Sequence, residues 1–150
     1  MNILVATDLS ESTQQVLEGM EALLDVGNAR VWLIHVAEPK PWFVGHEVDT
    51  REMREVTAEM YQREHRELQR IGAELRSKGV DCSSLLVQGE TAGMIMDEAD
   101  RLSVDVIVLG SHGKSAVKRW VVGSTSDDVL RHSSIPVLVI PTHRDPEANR

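Results

Sequence analysis

The chain has 150 residues, 41% of them hydrophobic and 27% charged, with a formal net charge of −8. That length suits one domain able to bury about two-thirds of its unfolded surface. The acidic balance argues against nucleic acid or an anionic membrane as general partners, since both reward basic surfaces.

The single cysteine, Cys82, excludes an internal disulfide and a cysteine zinc site, as suits a reducing interior. No run reaches the ~18 apolar residues of a membrane span. The chain enters strand-like Ile3-Leu4-Val5 without a charged and apolar leader. A cytoplasmic protein without membrane insertion is the expectation.

Residues Asn2 to Ala6 read as a short apolar strand running into Thr7-Asp8-Leu9-Ser10-Glu11-Ser12. Thr, Asp and Ser there suit a helix start. The helix is expected from about Ser12 to Val26, with Val16, Leu17, Met20, Leu23 and Leu24 on one face and Gly27-Asn28 as the stop. Val31 to Val36 is too uniformly apolar for a sheet with one wet face, so a buried parallel strand is predicted.

The irregular piece from Glu38 to His46 carries two prolines and the pair Trp42-Phe43. It reads either as a loop folded on its own flank or as a lid or partner contact, for which aromatic anchors are favoured. A long helix follows from about Asp49 to Ser77. Its apolar stripe is Met53, Val56, Met60, Leu68, Ile71 and Leu75, its favourable pairs Glu59–Arg63 and Glu74–Lys78, and its end Gly79.

Strand three is expected at Cys82 to Gln88, then a helix from about Ala92 to Leu102 burying Ile95, Ala99 and Leu102, with Thr91 as its cap. Strand four covers Asp105 to Leu109. A last helix runs from about Thr125 to Arg131, and strand five from Pro136 to Ile140, closed by Pro141. The tail from Thr142 to Arg150 is polar and expected to fray. Five strands alternating with four helices predict a doubly wound α/β domain with a parallel sheet, spanning residues 1–150.

After strand four come Gly110-Ser111-His112-Gly113, nine residues, and Gly123-Ser124-Thr125. Glycines let a ligand approach the main chain. A loop feeding a helix N-terminus presents free N–H groups and a favourable dipole to an anion. The stretch therefore reads as a phosphate cradle, with Lys114, Lys118 and Arg119 as local positive charge. It is not a Walker A loop, because position 108 is Val where that motif needs Gly. Nor is it G-x-G-x-x-G, since glycines 110 and 113 are three apart with no third in register.

The spacing that is present, G-x2-G-x9-G-[ST], resembles the nucleotide loop of the universal stress protein family, in its ATP-binding branch. Ile3-Leu4-Val5-Ala6-Thr7-Asp8-Leu9-Ser10, Ile34-His35-Val36 and Ser134 to Ile140 extend the resemblance over nearly the whole chain. It implies an adenine nucleotide alpha hydrolase-like fold with strand order 3-2-1-4-5 and helices on both faces. The strand order reverses between strands one and four, where such sheets bind ligands.

The resemblance also implies the site. Ala6, Thr7 and Asp8 would face the glycine loop, with Asp8 beside ribose and adenine; on sequence alone Asp8 could equally cap the first helix. Val36 would read the adenine edge through its backbone, and Leu109 would lie under the sugar or base. Gly110, Ser111, His112 and Gly113 would wrap the phosphates with main-chain N–H groups. Gly123, Ser124 and Thr125 would meet the outer phosphates, with Ser124 also opening a capping box to Asp127.

Asp127 and Asp128 suit the helix dipole but would repel a close phosphate. Trp120 packs over the nucleotide or into the core. The ligand would be ATP, or AMP or ADP, with Mg²⁺ brought by the phosphates rather than held by protein groups.

No nucleophile–base pair emerges. ATP binding as a signal is therefore expected over turnover, and the resemblance implies a stress-response switch acting on a partner protein. The alternatives are a slow ATPase and a nucleotide-independent interaction module. Val137, Leu138, Val139 and Ile140 would form an uncovered edge strand, and such an edge invites pairing. A homodimer through antiparallel strand-five contacts is the expectation.

Overall fold

Strands with no polar face need cover on both sides. In the computed structural model, which describes residues 1–39, 51–112 and 122–142, helices supply it. The order is β1 (Asn2–Ala6), α1 (Thr13–Leu23), β2 (Arg30–Ala37), α2 (Arg51–Ser77), β3 (Asp81–Gln88), α3 (Thr91–Arg101), β4 (Val106–Gly110), α4 (Ser124–His132) and β5 (Val137–Ile140). A single 3₁₀ turn, Val26–Asn28, joins α1 to β2. The sheet is parallel throughout in the order β3-β2-β1-β4-β5, as expected.

Successive strand residues feed opposite layers. Ile3, Val5, Val31, Leu33 and Val108 pack with Val16, Leu17 and Met20 of α1 and Leu68, Ile71 and Leu75 of α2. Leu4, Trp32, Ile34, Ile107 and Leu109 pack with Ala92, Ile95 and Ala99 of α3 and Val129 of α4. Burying each such aliphatic side chain is worth ~1.5–3 kcal/mol. Two dry layers therefore fix the sheet, and the strand ends are left to carry chemistry.

The apolar stripes held where helix and sheet overlap and failed where they do not. α1 stops at Leu23, which is 66% exposed; Leu24 is already extended and reaches the core without helical geometry. α2 has 27 residues, so it is ~40 Å long against ~26 Å for the eight residues of β2. Only its second half finds sheet beneath it, and Val56 in the first half is 53% exposed.

The ion pairs also differ from expectation. Lys78 reaches Glu21 of α1 at 3.1 Å, and Glu74 turns back to Arg70, which also holds Glu67 at 2.8 Å. The bond to Glu67 is the main cause raising the Arg70 guanidinium above its usual range. Gly79 ends the helix as predicted, at φ 88°.

Candidate functional site

β1 and β4 are neighbours, with Val5 beside Val108 in register. The segments following Ala6 and Leu109 therefore leave one edge of the sheet side by side. This is the reversal point of the strand order.

The first segment is a turn built from its own short side chains. The Thr7 hydroxyl accepts from the Leu9 N–H at 2.9 Å and shares a 2.6 Å bond with the hydroxyl of buried Thr13. Asp8 Oδ1 accepts from the Ser10 N–H at 2.9 Å. Those bonds hold Leu9 at φ 60°, which a leucine adopts only when its surroundings over-determine it.

The turn thus consumes the Thr7 hydroxyl and one Asp8 oxygen. Asp8 does not cap α1; Ser12 stands there, without a side-chain bond to the helix. The second oxygen, Asp8 Oδ2, is buried and has no partner. A dry, acceptor-only atom left unpaired costs free energy unless a donor arrives.

The second segment is tied down from two directions. Ser111 N–H donates to Ile140 O at 2.8 Å, and His112 N–H donates to Thr142 Oγ1 at 3.2 Å. Thr142 in turn donates its own N–H to Ser111 Oγ at 3.1 Å and its hydroxyl to His112 O. From the helix side, Gly123 N–H donates to Ser111 O and Ser126 Oγ to Gly110 O, both at 2.7 Å.

The N–H groups of Ser111, His112 and Gly123 are thus bonded within the protein. Their bonds carry the N-terminus of α4 to the end of β4. Ser124 and Thr125 are its first two helical residues, and their N–H groups have no intrahelical acceptor.

Gly123, not Ser124, is the N-cap, and no side chain caps the helix, so the capping box to Asp127 does not form. Asp127 pairs instead with Arg131 at 2.8 Å, which partly neutralises it beside the helix start. Ser126→Ala should leave the Gly110 carbonyl without its donor and cost about 1–3 kcal/mol in urea unfolding. A smaller loss would mean that another group takes over the bond.

The third contribution comes from β2. Its ladder bonds alternate, with Ala37 O facing β3 through Gly89 N–H and Ile34 O facing β1 through Thr7 N–H. Val36 shares the phase of Ile34, so its peptide groups turn toward the side of β1, past the last paired residue, Ala6. Its side chain is buried with that of Leu109 on the α3/α4 side of the sheet.

Ala6, Thr7, Asp8, Val36, Leu109, Gly110, Ser111, His112, Gly123, Ser124 and Thr125 thus all end at one edge of the sheet. Gly113, Lys114, Lys118, Arg119, Trp120, Trp42 and Phe43 lie outside the described residues. Sequence reasoning missed Thr13, Ser126 and Thr142. Thr142 was assigned to the polar tail, although a hydroxyl directly after the last strand is placed to meet the neighbouring strand's loop. Thr91 is likewise not a cap: Glu90 caps α3, accepting from Ala92 and Gly93, and Thr91 bonds Glu38.

Residues 1–141 match the family model of universal stress proteins. Universal stress protein MJ0577 of Methanocaldococcus jannaschii is 27% identical over 150 residues, covering 92% of this chain and 93% of its own. The solved structure of MJ0577 is similar with a TM-score of 0.79 over 96% of this chain and 97% of that one. Two more distant structures share the fold. One is a universal stress protein in complex with cAMP, at TM-score 0.67 and 21% identity over 95% of this chain and 98% of that one. The other is the universal stress protein of Archaeoglobus fulgidus in complex with dAMP, at TM-score 0.60 and 22% identity over 93% and 97%.

Proposed function

The chain belongs to the universal stress protein family, and from that membership we propose that it binds an adenine nucleotide, ATP foremost, between the Thr7–Asp8 turn and the N-terminus of α4. The observation that carries the reading is Asp8 Oδ2, a buried acceptor awaiting a donor at the strand-order reversal. A ribose hydroxyl is such a donor. The unpaired N–H groups at the start of α4 suit the phosphates, and the peptide groups of Val36 suit the adenine edge. That two relatives of this fold are in complex with cAMP and dAMP agrees with the choice of base.

Among the described residues no cluster of three or more His, Cys, Asp or Glu could hold a metal ion. Mg²⁺ would come with the phosphates. With no nucleophile and base brought together among the described residues, the nucleotide serves as a signal read by a partner protein in stress response, not as a fuel. No described helix is long and apolar enough to cross a membrane. The chain acts as a single domain in the cytoplasm.

The test is to denature the purified full chain, identify any released nucleotide by mass, and titrate the stripped protein with ATP, ADP, AMP and adenosine, with and without Mg²⁺. Adenine nucleotide released, or bound on titration, supports the reading. A stripped protein that binds none of the four overturns it.

β5 ends the sheet with one side unpaired among the described residues. Val137, Leu138 and Val139 are half-buried and Ile140 is buried. An open edge of that kind pairs with a second copy, so the same reading makes the protein a homodimer through antiparallel β5 contacts. Val139→Lys should shift the sedimentation profile from dimer toward monomer; a native protein that is already monomeric at micromolar concentration would sink the assignment.

A further inference from the structure

We propose that His35 is a positioning residue for the Thr7–Asp8 turn and that it shares one proton with Glu64, so that nucleotide binding falls as pH rises. The inference rests on the adenine-nucleotide reading above. His35 is 7% exposed and points into the α1/α2 layer at the site end of β2. Its Nδ1 lies 2.9 Å from the Thr7 carbonyl oxygen, one peptide unit before Asp8.

A carbonyl can only accept, so Nδ1 carries the hydrogen. The other ring nitrogen, Nε2, lies 3.5 Å from Glu64 Oε2, and neither atom has a hydrogen-bond partner. In a neutral ring with hydrogen on Nδ1, Nε2 is a lone pair. Set against a carboxylate, that lone pair is repelled. The arrangement is attractive only when one further proton sits on the ring or on the carboxyl group.

Among the described residues the surroundings leave this pair to itself. From α2 the facing group is Glu64, and from the end of β1 it is the neutral Thr7 carbonyl. α1 contributes the Thr13 hydroxyl, already bonded to Thr7, and β3 places uncharged Leu86 beside His35 in register. Asp8 follows Thr7 in the chain and is the charge of the turn itself.

The proton therefore joins α2 to the turn that presents Asp8 Oδ2. With it bound, Glu64 holds the ring against Thr7. As pH rises and the proton leaves, Nε2 and the carboxylate repel, and the ring's grip on the turn loosens.

The experiment uses the full chain and adenosine, a probe without titrating phosphates. Affinity of the native protein should fall about three- to tenfold between about pH 6 and about pH 8.5. Glu64→Gln puts a permanent N–H donor opposite Nε2, so its affinity should stay level within about twofold over the same range. His35→Phe keeps a ring but loses the bond to Thr7, and should bind weakly without a slope. A level native profile, or a slope that survives Glu64→Gln, overturns the inference.

Adenosine that binds at no pH leaves the nucleotide reading to ATP, ADP and AMP and does not decide this one. The amide resonances of Asp8 and Ser10 in the ligand-free protein then decide. They should move with the His35 ring signal in the native chain and stand still in Glu64→Gln. Amides that ignore the ring in the native chain overturn the coupling.

Discussion

Asp8→Asn is expected to weaken adenosine and ATP binding by roughly ten- to hundredfold, the worth of one hydrogen bond to a charged group, while leaving the ligand-free protein as stable as before or more so. The two halves come from the two oxygens. Asn keeps an acceptor where Oδ1 takes the Ser10 N–H, so the turn that holds Leu9 left-handed persists. At Oδ2 it replaces a dry, partnerless carboxylate oxygen by a neutral NH₂, which costs less to keep out of water.

A ribose hydroxyl would then meet a donor in place of an acceptor. Calorimetric titration and thermal melts on the same preparation separate the outcomes. Unchanged affinity would remove Asp8 from the ligand. A parallel loss of affinity and stability would reduce it to a turn former.

Gly110→Ala should cost about 1–3 kcal/mol of stability, the usual penalty of overpacking. A Cβ there would sit 2.8 Å from Thr142 Cγ2 and 3.0 Å from Val16 Cγ2. Neither neighbour can easily give way. Val16 is buried in the α1 layer, and Thr142 is bonded to both Ser111 and His112.

The melting temperature should drop by about 2–4 °C for each kcal/mol lost in a chain of this size. Adding Thr142→Ser removes the clashing methyl and keeps the hydroxyl, so the double variant should recover part of the loss. A Gly110→Ala protein that melts with the native one would show that the loop has room to spare. No recovery in the double variant would put the strain at Val16 alone.

What could be read from sequence, and what could not, divides on physical lines. Layering followed from runs such as Val31–Val36, whose lack of a polar face demands cover on both sides, while the strand order followed from the family resemblance. That the Asp8 turn and Gly110 leave the same end of the sheet followed from the family pattern plus that order.

Which donors the loop still has free did not follow. A glycine spacing says where backbone can come close; it does not say that Ile140, Thr142 and Ser111 take up the N–H groups of Ser111, His112 and Gly123. Those acceptors come from residues up to 30 positions away in the chain. Ser126 was hidden for a similar reason: its hydroxyl reads as an ordinary helical serine until β4 is placed beneath it.

The place of β1 in the middle of the sheet has a consequence for biosynthesis. It pairs on one side with β2, which follows closely, and on the other with β4, where Ile3 meets Val106. Translation at ~5–20 residues per second leaves that second flank open for roughly 5–20 seconds after Ile3 is made. Until Val106 emerges from the ribosome, the nascent chain holds an apolar ribbon with one side bare. Chaperone demand should peak in that interval, and it should subside once β4 has emerged and paired with β1.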